Sequence, residues 1–385
     1  MVDKPTIGKL FFSFLRLGLT AFGGPAMVAY IREMSVNRYK WLDEDVFKNG
    51  VVLCQSIPGA TAMQTAAYVG FRSKGIPGAL ASFVGFGLPA FILMLLLSSL
   101  YAEYHAVPNI VSLFNGLQVI VVAIVANATY SFGKNTFKDF EAVVVAISAS
   151  ALLWAGVSPF LVILGAALVG IVIFKSTNGM TLSEHERGKD GHFVKHFSRL
   201  LMLLFSGLLA LYFIDIKIFN LATLMMKIDL FAFGGGFASL PLMQHEIVDV
   251  RRWMDNTTFM NGIALGQVTP GPIVITSTFV GYLISGTAGA LTATIAVFTP
   301  SFLMVIAVTP VMDKLRAHAY FARATKGILV SFVGLLFFVT AKFAFAVPWD
   351  SIRILLLCAA LIALFKKIDI LNIVLITSVV SLFLF

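Results

Sequence analysis

The stretch Phe47-Lys48-Asn49-Gly50-Val51-Val52-Leu53-Cys54-Gln55-Ser56-Ile57-Pro58-Gly59 returns later in the chain as Phe259-Met260-Asn261-Gly262-Ile263-Ala264-Leu265-Gly266-Gln267-Val268-Thr269-Pro270-Gly271. Phe, Asn, Gly, Leu, Gln, Pro and Gly recur in one order at one spacing. Shared hydrophobicity alone cannot produce matched Asn, Gln, Gly and Pro. The match extends outward. Upstream, Phe22-Gly23-Gly24-Pro25 pairs with Phe233-Gly234-Gly235-Gly236, and Trp41-Leu42-Asp43 with Trp253-Met254-Asp255. Downstream, Val69-Gly70, Gly75, Gly78-Ala79-Leu80, Pro89 and Phe91 pair with Val280-Gly281, Gly286, Gly289-Ala290-Leu291, Pro300 and Phe302. The chain is a duplicated unit of roughly 170 residues.

Composition identifies the solvent of that unit. Of 385 residues, 59% are hydrophobic and 12% charged, with a mean hydropathy of +0.93. Soluble domains carry about 25% charged residues. A soluble globule cannot hide this much apolar surface, and a disordered chain is excluded on the same ground. The fold class is an all-α polytopic membrane protein embedded in the lipid bilayer. A spanning helix needs about 20 mainly apolar residues. Such runs occupy 79–100, 110–132, 142–155, 160–174, 200–214, 291–308, 328–347, 354–365 and 370–385. Segments interrupted by Gly and Pro add to these, and each either crosses or re-enters, so about 11–13 spans are expected.

The net charge of +9 reflects basic residues clustered in loops, as the positive-inside rule expects, and does not call for a nucleic-acid partner. Cys54 and Cys358 lie far apart in apolar segments, which argues against a disulfide framework or a Cys-rich metal site. Lys4 and Lys9 before an apolar run imitate a signal peptide, but no small-residue cleavage site follows. Phe22 to Pro25 belong instead to the repeat, so the segment reads as mature sequence.

Charge also orients each copy. Arg72 and Lys74 precede the 79–100 span, and the matching place in the second copy is uncharged. After that span the first copy has Glu103, where the second has Lys314, Arg316, Arg323 and Lys326. Lys134 and Lys138 are answered by Asp350, and the uncharged turn at 156–158 by Lys366 and Lys367. Every comparison flips, which orients the two copies oppositely. The expected organisation is a first repeat at 1–174, a cytoplasmic linker at 175–199, an extra spanning helix at 200–217 and an inverted second repeat at 218–385. Inverted repeats are the usual build of secondary transporters, with substrate sites at the repeat interface near mid-membrane. A multi-pass protein of the cell membrane is expected.

The chemistry is expected at the breaks. Proline removes a hydrogen-bond donor and ends a helix, and irregular backbone at membrane depth needs protein or water around it. A helix restarting after Pro58-Gly59 or Pro270-Gly271 points free N–H groups and a positive dipole end inward, which suits an anion. Inversion would bring Ala60-Thr61 and Pro272-Ile273 toward each other. Gln55 and Gln267, three residues before each proline, add neutral amide donors. The other reading of the same glycines and prolines, that they only permit kinks and close packing, stays open. Arg16 and Lys227 each lie seven residues before Gly23 and Gly234, and paired cations inside spans are functional candidates for an anionic substrate unless they snorkel to the interface. Asp229, opposite Gly18, either neutralises Lys227 or carries protons. Glu33 and Glu246 are further proton-coupling candidates, and Asp43 and Asp255 read as helix N-caps. The linker histidines His185, His192 and His196 lack tight metal-ligand spacing. No Walker A, His-Glu-x-x-His, Gly-x-Ser-x-Gly or dinucleotide motif occurs. Neither catalytic residues nor a cofactor are expected.

The duplicated Phe-Gly-Gly-Pro and Gln-x-x-Pro-Gly-Pro signatures, with Trp-Leu/Met-Asp between them, resemble the chromate ion transporter family of bacterial permeases over nearly the whole chain. The resemblance implies efflux of chromate, with sulfate as a related oxyanion, and chromate resistance. It places transport residues at Phe22, Gly23, Gly24 and Pro25, at Gln55, Pro58 and Gly59, at Phe233, Gly234, Gly235 and Gly236, and at Gln267, Pro270, Gly271 and Pro272. Gly236 for Pro25, and Ala60 where the second copy has Pro272, are departures that set the two half-sites apart. The other functions compatible with the sequence are a sulfate or other oxyanion permease and, in another class, a membrane-embedded scaffold or enzyme. A homodimer is compatible with it as well.

Overall fold

Glycine and proline decide where the helices stop and which way the chain then turns. The computed structural model describes residues 5–22, 24–174, 191–311 and 319–385, all helix and connecting loop. Gly23, most of the linker, Lys314 and Arg316 lie outside the described residues. In the first copy, α1 (Ile7–Thr20) is followed by α2 (Gly24–Arg32), which widens into a π-helical turn over Glu33–Arg38. Then come α3 (Glu44–Ser56), α4 (Thr61–Tyr104), α5 (Pro108–Thr136), α6 (Phe140–Trp154) and α7 (Pro159–Ile173). After α8 (Gly191–Ile214) the order repeats. Its members are α9 (Ile216–Phe231), α10 (Ser239–Met243) with a π-turn at Gln244–Val250, α11 (Asn256–Val268), α12 (Thr276–Val308), α13 (Ala319–Ala346), α14 (Ser351–Phe365) and α15 (Ile370–Leu384). Caps fix several starts. Asp255 Oδ1 accepts the Thr258 N–H and Asp215 the N–H of Lys217, and Pro108 and Pro159 occupy first turns. Asp43 holds the N-cap position of α3 but makes no side-chain cap bond.

A straight helix of the length of α4 would measure about 66 Å at 1.5 Å per residue, far more than a bilayer. It is not straight. At Lys74 and Gly75 the backbone leaves the helical region, with Gly75 at φ 62°. Ser82 Oγ donates to the Ala66 carbonyl at 2.7 Å, and a Cβ on Gly70 would overlap the Gly78 carbonyl. Both pairs centre on residue 74, so 61–73 and 76–104 lie antiparallel. α12 does the same at Ser285 and Gly286, where the Thr278 and Thr294 hydroxyls meet at 2.7 Å.

The breaks turn back too. Tyr68 Oη donates to the Val46 carbonyl at 3.2 Å and its ring covers Gly50. Segment 61–73 therefore returns alongside α3, with 57–60 as the tip. Lys9 Nζ stands 5.3 Å from the Tyr39 ring centroid, so α1 and α2 also share a base. In the second copy the Phe279 ring covers Gly262, and Lys227 reaches Glu246. Each broken segment is re-entrant, and the segments left to cross are 76–104, α5, α6, α7, α8, 287–308, α13, α14 and α15. Counted with the four re-entrant hairpins, they make about 13 embedded segments.

The two copies are related by an approximate two-fold axis that inverts them. Thr257, Thr258 and Asn261 of α11 share a cavity with Tyr101, His105 and Val111, at the end of 76–104 remote from the base of α3. Symmetry-related Thr129 and Thr340 meet at 3.2 Å. α6 and α7 pack on α13 while α14 and α15 pack on α5, so each copy clasps the other. Gly327 of α13 lies on Ala166 and Gly170 of α7, and Gly116 of α5 lies on Thr377 and Ser381 of α15. Large apolar side chains on the outer faces are exposed, as at Phe383 (84%), Phe140 (80%) and Phe213 (77%). So wide an apolar belt marks a lipid-facing surface. Among the described residues, five helices are long and apolar enough to cross a membrane; α6, α7, α14 and α15, at 15 residues each, reach about 22 Å of a roughly 30 Å core.

Candidate functional site

All four breaks meet between the two copies. The Gly59 N–H donates to the Ala232 carbonyl at 2.9 Å, and the Gly271 N–H to the Ala21 carbonyl at 3.1 Å. These bonds are symmetry mates. Each Pro-Gly tip of one copy docks on the break between the first two helices of the other. Gly59 and Gly271 sit at φ 115° and 103°, values that side chains disfavour. Behind Gly59 stands Ser301, whose Oγ a Cβ would strike; behind Gly271 stands Ala90, whose methyl a Cβ would meet at 3.0 Å.

Two helix starts face this junction. Segment 61–73 has Ala60 at its N-cap with no side-chain cap, and the turn Ile273–Ile275 that opens the second restart has Pro272 there, also uncapped. First-turn N–H groups are left without intrahelical partners. A Cβ built on Gly235 would lie 3.4 Å from Thr61 Oγ1, and one on Gly236 would lie 3.1 Å from Ile273 Cγ2. The break 232–236 thus lies against both restarts, which brings together the neighbourhoods of Ala60-Thr61 and Pro272-Ile273.

Buried polar atoms stand at or close to these breaks. Gln64 is fully buried and its Nε2 donates to the Pro58 carbonyl, bracing the tip. Among the described residues its Oε1 has no partner, and neither does the buried Nε2 of Gln267. Asp229 is buried, with Oδ2 accepting the Ser301 N–H at 2.7 Å and the Ser301 hydroxyl at 2.5 Å. Among the described residues its Oδ1 has no partner. Uncapped helix ends and a spare amide suit an anion, and the carboxylate opposes one.

The residues singled out from the sequence divide accordingly. Pro58, Gly59, Pro270, Gly271, Gly234 and Gly235 form the junction, Phe22 and Phe233 flank it half-buried, and Gly24 opens α2. Gln267 is partly buried near it, but Gln55 is exposed, so the two glutamines are not equivalent. The cations stand elsewhere. Arg16 is exposed on the face of α1 that carries Phe12 and Leu19. Lys227 Nζ lies 2.8 Å from Glu246 Oε1 and 3.7 Å from the Phe160 ring centroid, and Glu246 also binds Arg251. Lys227 is therefore neutralised by Glu246 rather than by Asp229, and that pair pins the second copy's first hairpin. Glu33 is exposed and accepts from Asn37. Of the three proton-coupling candidates only Asp229 reaches the junction. Gln64 and Ser301 escaped the repeat comparison because Ile275 and Ala90 occupy their symmetry positions. A cavity of about 880 Å³ opens elsewhere, beside Asp249, Lys342, His245 and Trp154 at the second hairpins' base.

The sequence model of the family described as chromate transporter matches residues 8–171 and 219–383, once in each copy. Over 98% of the chain and 94% of the relative, it is 44% identical to an uncharacterized transporter of Methanocaldococcus jannaschii. It is 29% identical to the chromate transport protein of Pseudomonas aeruginosa over 83% of this chain and 78% of that one. The chromate transport protein of Cupriavidus metallidurans is 29% identical over 80% and 75%. No solved structure matches the chain.

Proposed function

The chain belongs to the chromate transporter family, and we propose from that premise that it exports chromate across the cell membrane as a secondary transporter and so confers chromate resistance. The observation that supports this reading is the junction itself, where reciprocal Gly59–Ala232 and Gly271–Ala21 bonds hold two helix starts without side-chain caps, with the spare amide of Gln267 three residues before one Pro-Gly tip. Neutral donors bind a dianion without needing a fixed cation beside it. Membrane potential then does the work of export: at about 2.3 kcal/mol per charge per 100 mV, a dianion leaving a negative interior gains roughly 4.6 kcal/mol. Uptake would need coupled protons or another coupled ion.

Sulfate is the second reading, because amide and helix-end donors recognise the tetrahedral dianion shape that it shares with chromate. Radiolabelled chromate and sulfate, offered in turn to inverted vesicles, separate the two; no flux of either above empty vesicles would refute transport of both. Gln267→Ala should weaken chromate binding by about one ordinary hydrogen bond, ~0.5–1.5 kcal/mol, or roughly two- to tenfold in Kd. Binding of radiolabelled chromate to purified protein checks this, and an unchanged Kd would place the anion away from Gln267.

The cytoplasmic side is proposed from charge, with the linker 175–199 inside. Cysteines placed at Glu103 and Trp349 should label from outside, and ones at Lys138 and Arg323 only after permeabilisation. Labelling of Glu103 and Arg323 positions from the same side would contradict this sidedness.

A further inference from the structure

Asp229 and Ser301 form a polar pair present in one half only. Their symmetry positions are Gly18, packed against the Phe86 carbonyl, and Ala90, packed against Gly271. The pair stands directly behind the Gly59 tip. A buried carboxylate with one oxygen unbonded is costly when ionised and uncompensated, and an ionisable group at membrane depth is a functional candidate. No charge nearby compensates it. On its own helix, Lys227 is committed to Glu246, together with Arg251. Lys217 donates to the Ile284 carbonyl at the far end, where Asp215 caps α9. α12, packed along α9, has Tyr282 as its one titratable residue, and α7, which meets α9 through Phe160 and Phe231, has none. α8 carries His192, Lys195, His196 and Arg199 in its first turns and Tyr212 near its end. α10 carries none, and His245, Glu246 and Asp249 follow in its π-turn; the hairpin with its tip at Gly59 brings Glu44, Asp45, Lys48, Tyr68, Arg72 and Lys74 toward its base, and Cys54 nearer the tip. Among the described residues no cation lies within ion-pair distance of Asp229.

We propose that Asp229 is a proton-binding site linked to the oxyanion site, so that a proton on Asp229 and an oxyanion at the junction bind together. The inference rests on the anion reading of the junction. The proton is taken from solvent onto Oδ1, the oxygen without a partner, while Oδ2 keeps both Ser301 bonds. Protonation removes the negative charge behind the Gly59 tip that would repel an incoming dianion. Linkage is reciprocal: the anion raises proton affinity by the factor by which the proton raises anion affinity. A dianion accompanied by one proton moves one net negative charge rather than two.

The test is the Kd of radiolabelled chromate in nanodiscs across a pH series, with wild type and Asp229→Asn in the same buffers so that chromate's own titration cancels. Wild type should lose affinity about tenfold or more as pH rises, beyond the change seen in the variant. Asp229→Asn, an isosteric neutral side chain, should bind at high pH as wild type does at low pH. Ser301→Ala removes a donor to the ionised carboxylate, which disfavours the charged form, and should move the wild-type pH midpoint upward. A variant that keeps the wild-type slope, or that binds weakly at every pH, overturns the proton site and leaves the anion reading standing. No chromate binding at any pH overturns both. If Asp229→Asn fails to accumulate, the Ser301→Ala midpoint decides alone, and an unmoved midpoint counts against the proposal.

Discussion

Replacing Gly59 by alanine abolishes oxyanion transport in a protein that still reaches the membrane, whereas Gly271→Ala keeps a measurable part of it. Both glycines hold left-handed φ values, 115° and 103°, and forcing a side chain there costs about 1–3 kcal/mol. Their surroundings differ. A methyl on Gly59 strikes Ser301 Oγ, which cannot turn aside without releasing the Asp229 carboxylate it bonds at 2.5 Å. A methyl on Gly271 meets only the Ala90 methyl at 3.0 Å, which a few tenths of an ångström of movement relieves. Tip displacement also breaks the Gly59–Ala232 bond that joins the two copies. Vesicle flux normalised to protein amount checks the pair. Equal activity in the two variants would mean that the tips are not seated as described.

The second large effect is on stability. Gly327→Val should lower the melting temperature far more than Gly116→Val, although the two glycines are symmetry mates. A Cβ on Gly327 overlaps the Ala166 backbone carbonyl and comes within 2.9 Å of Gly170 Cα, so α13 and α7 must move apart. A Cβ on Gly116 meets the Ser381 hydroxyl, which can rotate, and Ser381 Cβ at 2.9 Å, with Thr377 Cγ2 at 3.4 Å, so a smaller separation of α5 and α15 relieves it. Overpacking a tight core costs typically 1–3 kcal/mol, and separating two backbones belongs at or above the top of that range. Thermal melts of the two purified variants in one detergent decide it. Similar melting temperatures would argue against the clasp between the copies.

Much of this is legible in the amino-acid sequence. Composition alone placed the chain in lipid, because 12% charge cannot cover 59% hydrophobic residues. The matched Gln-x-x-Pro-Gly signatures showed the duplication, and proline's missing N–H located the breaks at Pro58 and Pro270, where the helices do stop. Those properties are local or additive, so order and composition suffice to read them. Whether a broken helix crosses or turns back is neither. Tyr68 against Gly50 and Gly75 at φ 62° send segment 61–73 back alongside α3 and then reverse the chain again. Cation roles also waited for packing: Arg16 and Lys227 hold matched positions and both are exposed, yet Lys227 is engaged by Glu246, nineteen residues on. Gln64 and Ser301 carry polar groups at the junction but lack counterparts in the other copy, so no repeat could point to them. Spacing along a chain records which residues are equivalent, and only the folded packing decides which of them share a neighbour, because side-chain partners are chosen by distance in three dimensions.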